Sequence, residues 1–149
     1  MALSEQIKEK AQNIGFTLAG ITTSEPPPHF PAFQNWLEMG RNASMEYLRD
    51  PRRADPRLIM KECKSILVLG ARYPASTHER SNTTPSGRVA SYATVEDYHF
   101  ILPEKMRALC DFIEEEVGHP IPNRIYTDTG PLLERDLAQR AGLGWIGKN

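Results

Sequence analysis

A nearly continuous apolar run at residues 65–73, SILVLGARY, constrains the fold of this 149-residue chain more than any other feature. Such a run predicts a buried β-strand near the centre of a sheet. Shorter patterns predict further strands over residues 16–22, 87–93 and 124–127. The sequence lacks the strict alternation of strands and helices around a nucleotide-binding loop that marks doubly wound folds. We therefore predict a mixed α/β fold with a small central sheet flanked by helices.

Apolar residues at intervals of three or four predict the flanking helices. The first helix is expected to begin at a capping Ser4 and to end at Gly15, and a longer helix is expected to follow a capping Asp97. A short helix between them ends near Gly40, and we interpret it as architectural. Residues 77–86 are polar and are predicted to form a mobile loop. The apolar stripes are Ile7, Ala11 and Ile14 in the first helix, Phe33, Trp36 and Leu37 in the short one, and Leu102, Met106, Leu109 and Ile113 in the long one.

The charge balance restricts the classes of partner. The chain has 18 Lys and Arg residues against 19 Asp and Glu residues, a formal net charge of -1. This balance gives no electrostatic case for nucleic acid as the main partner, so any RNA contact would need a local patch. The sequence has no apolar run that could span a bilayer, and a charged helix is predicted where a signal peptide would lie, so we expect a cytoplasmic protein.

The two cysteines give no metal-binding pattern. Cys63 and Cys110 are isolated from each other, whereas iron–sulfur ligation requires several thiolates at short spacing. We interpret both as buried free thiols in helical segments. No metal ligand is predicted in the chain.

The segment TDTGPLLER at 127–135 holds the main candidate for chemistry, Asp128. The predicted strand at 124–127 would deliver this carboxylate to a tight turn, and Pro131 would open a helix over residues 131–141. Sheet proteins often place chemistry at such turns. A capping role is the alternative for Asp128, since an acid before a helix binds free N–H groups in its charged form. A proton donor would instead need burial that favours the protonated form.

Residues 142–149 superficially match two phosphate-binding patterns. The dinucleotide pattern G-x-G-x-x-G requires a preceding strand, but a predicted helix precedes it here. The P-loop pattern requires a magnesium-binding Ser or Thr where the chain has Asn149. We therefore favour a glycine-hinged loop over residues 142–149 that presents Trp145 to a large flat ligand.

Four blocks of sequence, in order along the chain, closely resemble epoxyqueuosine reductases, which are cobalamin and iron–sulfur enzymes of tRNA wobble-base modification. This resemblance implies a single cobalamin-binding domain over residues 1–149, similar in fold to flavin nitroreductases. It also implies a downstream ferredoxin-like module with [4Fe-4S] clusters, so that the chain would be the first part of a longer protein. The four blocks are YLRDPRRADPR at 47–57, GRVASYATVEDYH at 87–99, TDTGPLLER at 127–135 and AGLGWIGKN at 141–149.

The same resemblance implies roles for individual residues. Asp128 would be the proton donor, and Arg135 could hold an anionic group of the substrate, while Glu134 and Arg135 could also form a surface or helix-anchoring pair. Ser91 stands where the family usually has Arg, so one polar contact is in doubt. Residues expected to contact cobalamin are Arg53, Tyr92, Tyr98, His99, Thr129, Leu133, Gly144 and Trp145. For His99 a structural hydrogen bond is the equal alternative, and cobalt ligation is disfavoured because Leu102 occupies the glycine position of the D-x-H-x-x-G motif.

By resemblance, the reaction removes the epoxide oxygen of epoxyqueuosine in the tRNA anticodon loop to give queuosine. Iron–sulfur clusters would pass electrons to cobalamin, and the protein would position the cofactor, exclude water and supply the proton. Two alternatives stay open: a related corrinoid reductase acting on a small molecule, dehalogenase-like or cobalamin-processing, and a corrinoid-binding module without catalysis.

Overall fold

The computed structural model describes residues 1–73 and 89–147, apart from the side chains of residues 91 and 92. In this part of the chain the helices are α1 (Leu3–Ile14), α2 (Phe30–Glu38), α3 (Tyr98–Val117) and α4 (Glu134–Arg140), and the strands are β1 (Leu18–Thr23) and β2 (Ser65–Gly70). The 3₁₀ helices are Glu46–Arg49, Pro51–Ala54, Pro56–Leu58 and Ser91–Thr94. The mixed α/β class is confirmed. None of the described helices is long and apolar enough to cross a membrane.

The sheet consists of β1 and β2, which pair antiparallel with Leu18 opposite Gly70 and Thr23 opposite Ser65. The strands predicted at 16–22 and 65–73 are thus confirmed with shifted ends. The central position expected for the second is wrong among the described residues, where β2 pairs only with β1.

Two predicted strands are wrong where the structure describes them. Residues 91–94 form a 3₁₀ helix, and residues 124–127 have no regular secondary structure. A short extended segment is stable as a strand only when a ladder partner is available, and neither segment pairs with β1 or β2. Residues 87 and 88 and the loop predicted at 77–86 lie outside the described residues.

The main core lies where α1 and α3 meet the sheet. Ala11 is fully buried and Leu109 is 1% exposed, and both belong to the predicted apolar stripes of their helices. Asp97 caps α3 as predicted, since its Oδ1 accepts a hydrogen bond of 2.9 Å from the backbone N–H of His99. Gly15 ends α1 in the left-handed region at φ 104°, also as predicted. The cap predicted at Ser4 is wrong, because α1 already begins at Leu3.

The two cysteines are free thiols, and both are half-buried rather than fully buried. Burial raises the pKa of the Cys63 thiol and of the Cys110 thiol. A raised thiol pKa disfavours the reactive thiolate. Neither cysteine therefore has the environment of a nucleophile.

Arg140 attaches α4 to the connection that follows β1. Its Nε donates a hydrogen bond of 2.8 Å to Oγ1 of Thr22, and its Nη2 donates one of 2.6 Å to the carbonyl oxygen of Thr23. Its Nη1 donates to the carbonyl oxygens of Glu25 and Pro26, at 2.9 Å and 3.2 Å. One guanidinium thus satisfies three backbone carbonyls and fixes α4 against the sheet.

We expect Arg140→Ala to lower the free energy of unfolding by about 2–3 kcal/mol, because hydrogen bonds from a charged group are lost and carbonyls lose their partner. Urea unfolding measures this change. Arg107→Ala, at an exposed position on α3, is the matched control and should change stability little. Equal losses for the two variants would show that the Arg140 contacts contribute nothing specific.

Candidate functional site

An open cleft of about 870 Å³ runs along α2 and the segment that leads into α4. The 3₁₀ helices after α2 and residues 146–147 complete its lining. Its lining residues include Phe33, Trp36, Arg53, Asp128, Leu133 and Glu134. A smaller hollow of about 360 Å³ on the chain between α2 and Ala54 contains none of the predicted site residues. The larger cleft is therefore the candidate site.

Local capping places Arg53 in the cleft. The 3₁₀ helix Pro51–Ala54 begins at Asp50, whose Oδ1 accepts a hydrogen bond of 2.9 Å from the backbone N–H of Arg52. The Arg52 guanidinium also binds this carboxylate, and these hydrogen bonds lower the pKa of Asp50 to about 2. The turn so fixed directs Arg52 to solvent and Arg53 inward, where Arg53 is only 9% exposed.

The Arg53 guanidinium has one identified hydrogen bond and one unused buried donor. Its Nη1 donates to the carbonyl oxygen of Leu132 at 3.1 Å. Its Nε is buried and has no hydrogen-bond partner among the described residues. A buried donor without a partner is costly, so this atom is a candidate ligand contact.

Asp128 lies at the tip of a tight loop. Its φ of 57° lies in the left-handed region, which non-glycine residues rarely adopt. The backbone N–H of Thr129 donates to the carbonyl oxygen of Thr127 at 2.7 Å, and a Cβ on the buried Gly130 would lie 2.6 Å from the Tyr126 ring. The loop therefore depends on glycine at 130 and projects the Asp128 side chain outward.

Tyr98 orients the Asp128 carboxylate. The phenolic Oη of Tyr98, the first residue of α3, donates a hydrogen bond of 2.6 Å to Asp128 Oδ2. Tyr98 also stacks on His99, with ring centroids 4.2 Å apart. The predicted residues Tyr98 and Asp128 are thus in direct contact, although residues 98 and 128 belong to different segments of the chain.

The capping alternative for Asp128 is wrong, and so is the helix start predicted at Pro131. Helix α4 begins only at Glu134, and the cap position is Leu133, which makes no capping side-chain hydrogen bond. Packing of Gly130 on Tyr126 and the hydrogen bond from Arg53 to Leu132 hold the preceding chain out of helical geometry. Asp128 is exposed in the described structure, so the burial that a proton donor needs would have to come from a bound ligand. It is available for a role other than capping.

Glu134 joins this group of residues in the cleft, although its sequence context indicated only a surface or helix-anchoring pair. The residue as a whole is exposed, but desolvation of its carboxyl group raises the pKa of Glu134, and the neighbouring Asp128 carboxylate raises it further. The Asp128 backbone N–H and the Arg53 guanidinium act in the opposite direction. Sequence periodicity could not reveal this pairing, because Asp128 and Glu134 do not share a helix.

The remaining predicted residues divide into two groups. Leu133 and Arg135 line the cleft, as do Ile146 and Gly147 from the predicted glycine-hinged loop. Thr129, Gly144 and Trp145 do not line it, and Trp145 is 95% exposed. The Tyr92 side chain lies outside the described residues.

His99 makes the hydrogen bonds that its structural alternative predicted. Its Nδ1 lies 2.8 Å from Oδ1 of Asp97, and its backbone N–H binds the same oxygen. These hydrogen bonds lower the pKa of Asp97. His99 does not line the cleft in the described structure, so its expected contact with a cofactor stays a prediction.

Helix α2 supplies a wall that the sequence did not identify. Phe33 and Trp36 line the cleft, stacked with centroids 6.0 Å apart and planes 15° from parallel. The interpretation of this helix as architectural is therefore incomplete: Leu37 is buried beneath it, while the two aromatic residues border the cleft. The sequence feature that could have indicated this wall is the pair of aromatic residues three positions apart.

A histidine and a buried carboxylate were also missed. Asp136 is 5% exposed, and its Oδ2 accepts a hydrogen bond of 3.0 Å from the His29 backbone N–H. Its Oδ1 lies 2.7 Å from His29 Nδ1, and both residues border the cleft. This pair joins α4 to the residue before α2 and holds the two cleft walls together.

The sequence model of a protein family described as epoxyqueuosine reductase QueG, DUF1730, matches residues 53–129, which include Arg53, Tyr98 and Asp128. The chain belongs to this family. An epoxyqueuosine reductase from Synechocystis sp. is 35% identical over 132 residues, which cover 89% of this chain and 45% of that protein. The chain thus spans about half the length of the curated relatives it matches.

Solved structures agree with the family assignment. The structure of epoxyqueuosine reductase from Streptococcus thermophilus matches with a TM-score of 0.83 at 27% identity, over 99% of this chain and 40% of that one. A crystal structure of epoxyqueuosine reductase with a tRNA-Tyr epoxyqueuosine-modified tRNA stem loop matches with a TM-score of 0.73 at 27% identity, over 96% and 39%. The resemblance seen in the four sequence blocks is confirmed.

Proposed function

We propose that this chain is the cobalamin-binding part of an oxidoreductase that reduces epoxyqueuosine in tRNA to queuosine, with Asp128 as the proton donor. The observation that carries the proposal is the cleft in which Arg53 and the Tyr98-bound Asp128 come together. Family membership supports the same reaction, and the relative bound to a modified tRNA stem loop supports tRNA as the substrate. A tRNA substrate is consistent with a cytoplasmic protein.

The residues of the cleft fit a corrinoid in their chemistry. A corrin ring is broad and largely apolar on its faces and carries amide groups at its edge. Phe33, Trp36 and Leu133 offer apolar and aromatic surface, and the buried Nε of Arg53 offers a hydrogen-bond donor for an amide carbonyl. Ligand sites typically combine such an apolar wall with a few placed polar groups. Cobalamin, once bound, would supply the reducing chemistry that side chains lack.

The residues of this chain would then act around the substrate oxygen. Asp128 would hold a proton on its carboxyl group and donate it to the oxygen that leaves the epoxide. Tyr98 binds Oδ2 of that carboxylate and so leaves Oδ1 to face the substrate. The tight loop from Tyr126 to Gly130 fixes the position of this acid, which a proton transfer requires.

Arg135 would serve the tRNA substrate. It borders the same cleft as Asp128, so its guanidinium could bind a phosphate or another anionic group while the base reaches the acid. The iron–sulfur electron supply implied by the resemblance belongs, in this proposal, to the longer protein. A small-molecule corrinoid reductase or a module without catalysis finds no specific support in the described residues.

Cobalamin binding by the protein is the direct test of this proposal. Equilibrium dialysis should show about one retained cobalamin per chain, and visible absorption should follow its titration. Fluorescence of Trp36 and Trp145 should be quenched, and the variants Trp36→Phe and Trp145→Phe assign the two contributions. Folded protein that retains no cobalamin would contradict the proposal, and stoichiometric retention of FMN would indicate a flavin nitroreductase instead.

A further inference from the structure

We propose that Glu134 returns a proton to Asp128 during each turnover, so that the two carboxyl groups work as one proton-supplying pair. The inference rests on the proposed function, because it assumes that Asp128 protonates the leaving oxygen. Glu134 itself acts through Asp128, as a positioning and proton-supplying residue.

The placement of the two carboxyl groups supports such a pair. Asp128 and Glu134 border the same cleft, and Glu134 is the first residue of α4, so its backbone is fixed by the helix. Helix α4 is in turn anchored by Arg140 and by the contact of Asp136 with His29. Both members of the pair are therefore held by structure that does not depend on a ligand.

Arg53 completes the cluster from a third segment of the chain. Its buried guanidinium binds the carbonyl oxygen of Leu132, directly before α4, and lies close enough to act on the charge of Glu134. A cation near Glu134 favours the ionised form of that carboxyl group, so Arg53 makes the Glu134 proton easier to transfer. Because Tyr98 binds Oδ2 of Asp128, the Glu134 carboxyl group would approach another atom of Asp128.

The electrostatic environment assigns the proton of the pair to Glu134. Desolvation and the Asp128 carboxylate both raise the pKa of Glu134. Two carboxyl groups in close proximity do not both ionise readily, so one of them retains a proton at a pH where a separate carboxyl group would have lost it. Glu134 is also the exposed member at the edge of the cleft, which allows it to recover a proton from water.

The stoichiometry of the reaction requires a second proton. Removing an epoxide oxygen as water consumes two electrons and two protons, breaks two C–O bonds and leaves a carbon–carbon double bond. The electrons come from the reduced cofactor of the proposed function. The Glu134 proton passes to the Asp128 carboxylate, Asp128 gives it to the oxygen, and water then reprotonates Glu134. A second transfer along the same path supplies the second proton.

The test is a double-mutant cycle in the full-length enzyme. Glu134→Gln should lower kcat for epoxyqueuosine in tRNA by roughly 10²-fold, the lower end of what a positioned proton-transfer group contributes. KM and cobalamin affinity should not change. The high-pH limb of the kcat profile should move to lower pH. The pair would have lost the Glu134 carboxyl group, whose raised pKa lets it keep a proton at higher pH. In an Asp128→Asn background, Glu134→Gln should not lower kcat further, since substitutions of residues that act as one unit do not have additive effects.

Matched variants separate this role from a structural one. Glu115→Gln, at an exposed position on α3, should keep wild-type kcat and pH profile. If Glu134→Gln does not fold, Glu134→Asp serves instead, because it keeps an acid but withdraws it by one methylene and should lower kcat. Wild-type kcat in the Glu134 variant, or losses that multiply in the double variant, would overturn the inference while the proposed function stands. A wild-type enzyme that leaves epoxyqueuosine unreduced would instead overturn the proposed function.

Discussion

Asp128→Asn in the full-length enzyme is expected to lower the rate of epoxyqueuosine reduction by roughly 10²–10⁴-fold, the usual contribution of a positioned general acid. The amide keeps the shape of the side chain and can still accept the hydrogen bond from Tyr98 Oη, but it carries no acidic proton. Cobalamin affinity should be unchanged, because the substitution leaves Arg53 and the aromatic wall in place. Single-turnover reduction of a modified tRNA stem loop measures the effect.

The same variant should keep its stability, and this separates chemistry from structure. Asp128 does not cap α4, it is exposed, and asparagine tolerates the left-handed φ at this position. The free energy of unfolding in urea should therefore change by no more than about 0.5 kcal/mol. Asp111→Asn, at an exposed position on α3, is the matched control for both measurements. Reduction by Asp128→Asn at the wild-type rate would show that the residue is only structural.

The sequence predicted those elements whose cause is local. Apolar runs identified β1 and β2, because a half-buried ladder selects such residues wherever it forms. Gly15 and Asp97 were identified as helix ends because capping depends on one residue and its immediate neighbours. The stripes of α1 and α3 predicted the core around Ala11 and Leu109 for the same reason.

The errors arose where contacts between distant segments override local preference. Pro131 suits the first turn of a helix, yet Arg53 binds the neighbouring Leu132 carbonyl and delays the start of α4 to Glu134. The segment 124–127 is composed like a strand but finds no ladder partner in the described structure. The local sequence shows neither that Arg53 contacts Leu132 nor that residues 124–127 lack a strand to pair with.

The candidate site shows the same division. Family resemblance led to Arg53, Asp128, Leu133 and Arg135, which the fold brings to one cleft. Phe33 and Trp36 were missed because an amphipathic stripe shows that a helix has an apolar face but not what that face borders. Glu134 was missed because the effect on its pKa depends on Asp128 and Arg53, which reach it only in the folded chain.

The second large effect is expected at Arg53. Arg53→Ala removes the buried Nε, which has no partner among the described residues and is proposed to bind an amide carbonyl of cobalamin. Hydrogen bonds from charged groups contribute about 1.5–3 kcal/mol. At 1.4 kcal/mol for each factor of ten, cobalamin affinity should fall by roughly 10–100-fold. Equilibrium dialysis of the wild type and the variant gives the two dissociation constants.

Two further variants distinguish binding by Arg53 from support of the backbone. Arg53→Lys keeps the charge but loses the forked donors, so it should restore only part of the affinity. Arg41→Ala, at an exposed arginine outside the cleft, is the matched control and should bind cobalamin as the wild type does. Arg53→Ala will also leave the Leu132 carbonyl without its partner and so lower stability by about 1–3 kcal/mol. If stability falls while cobalamin affinity does not, Arg53 only supports the chain before α4, and the cofactor contact must lie elsewhere in the cleft.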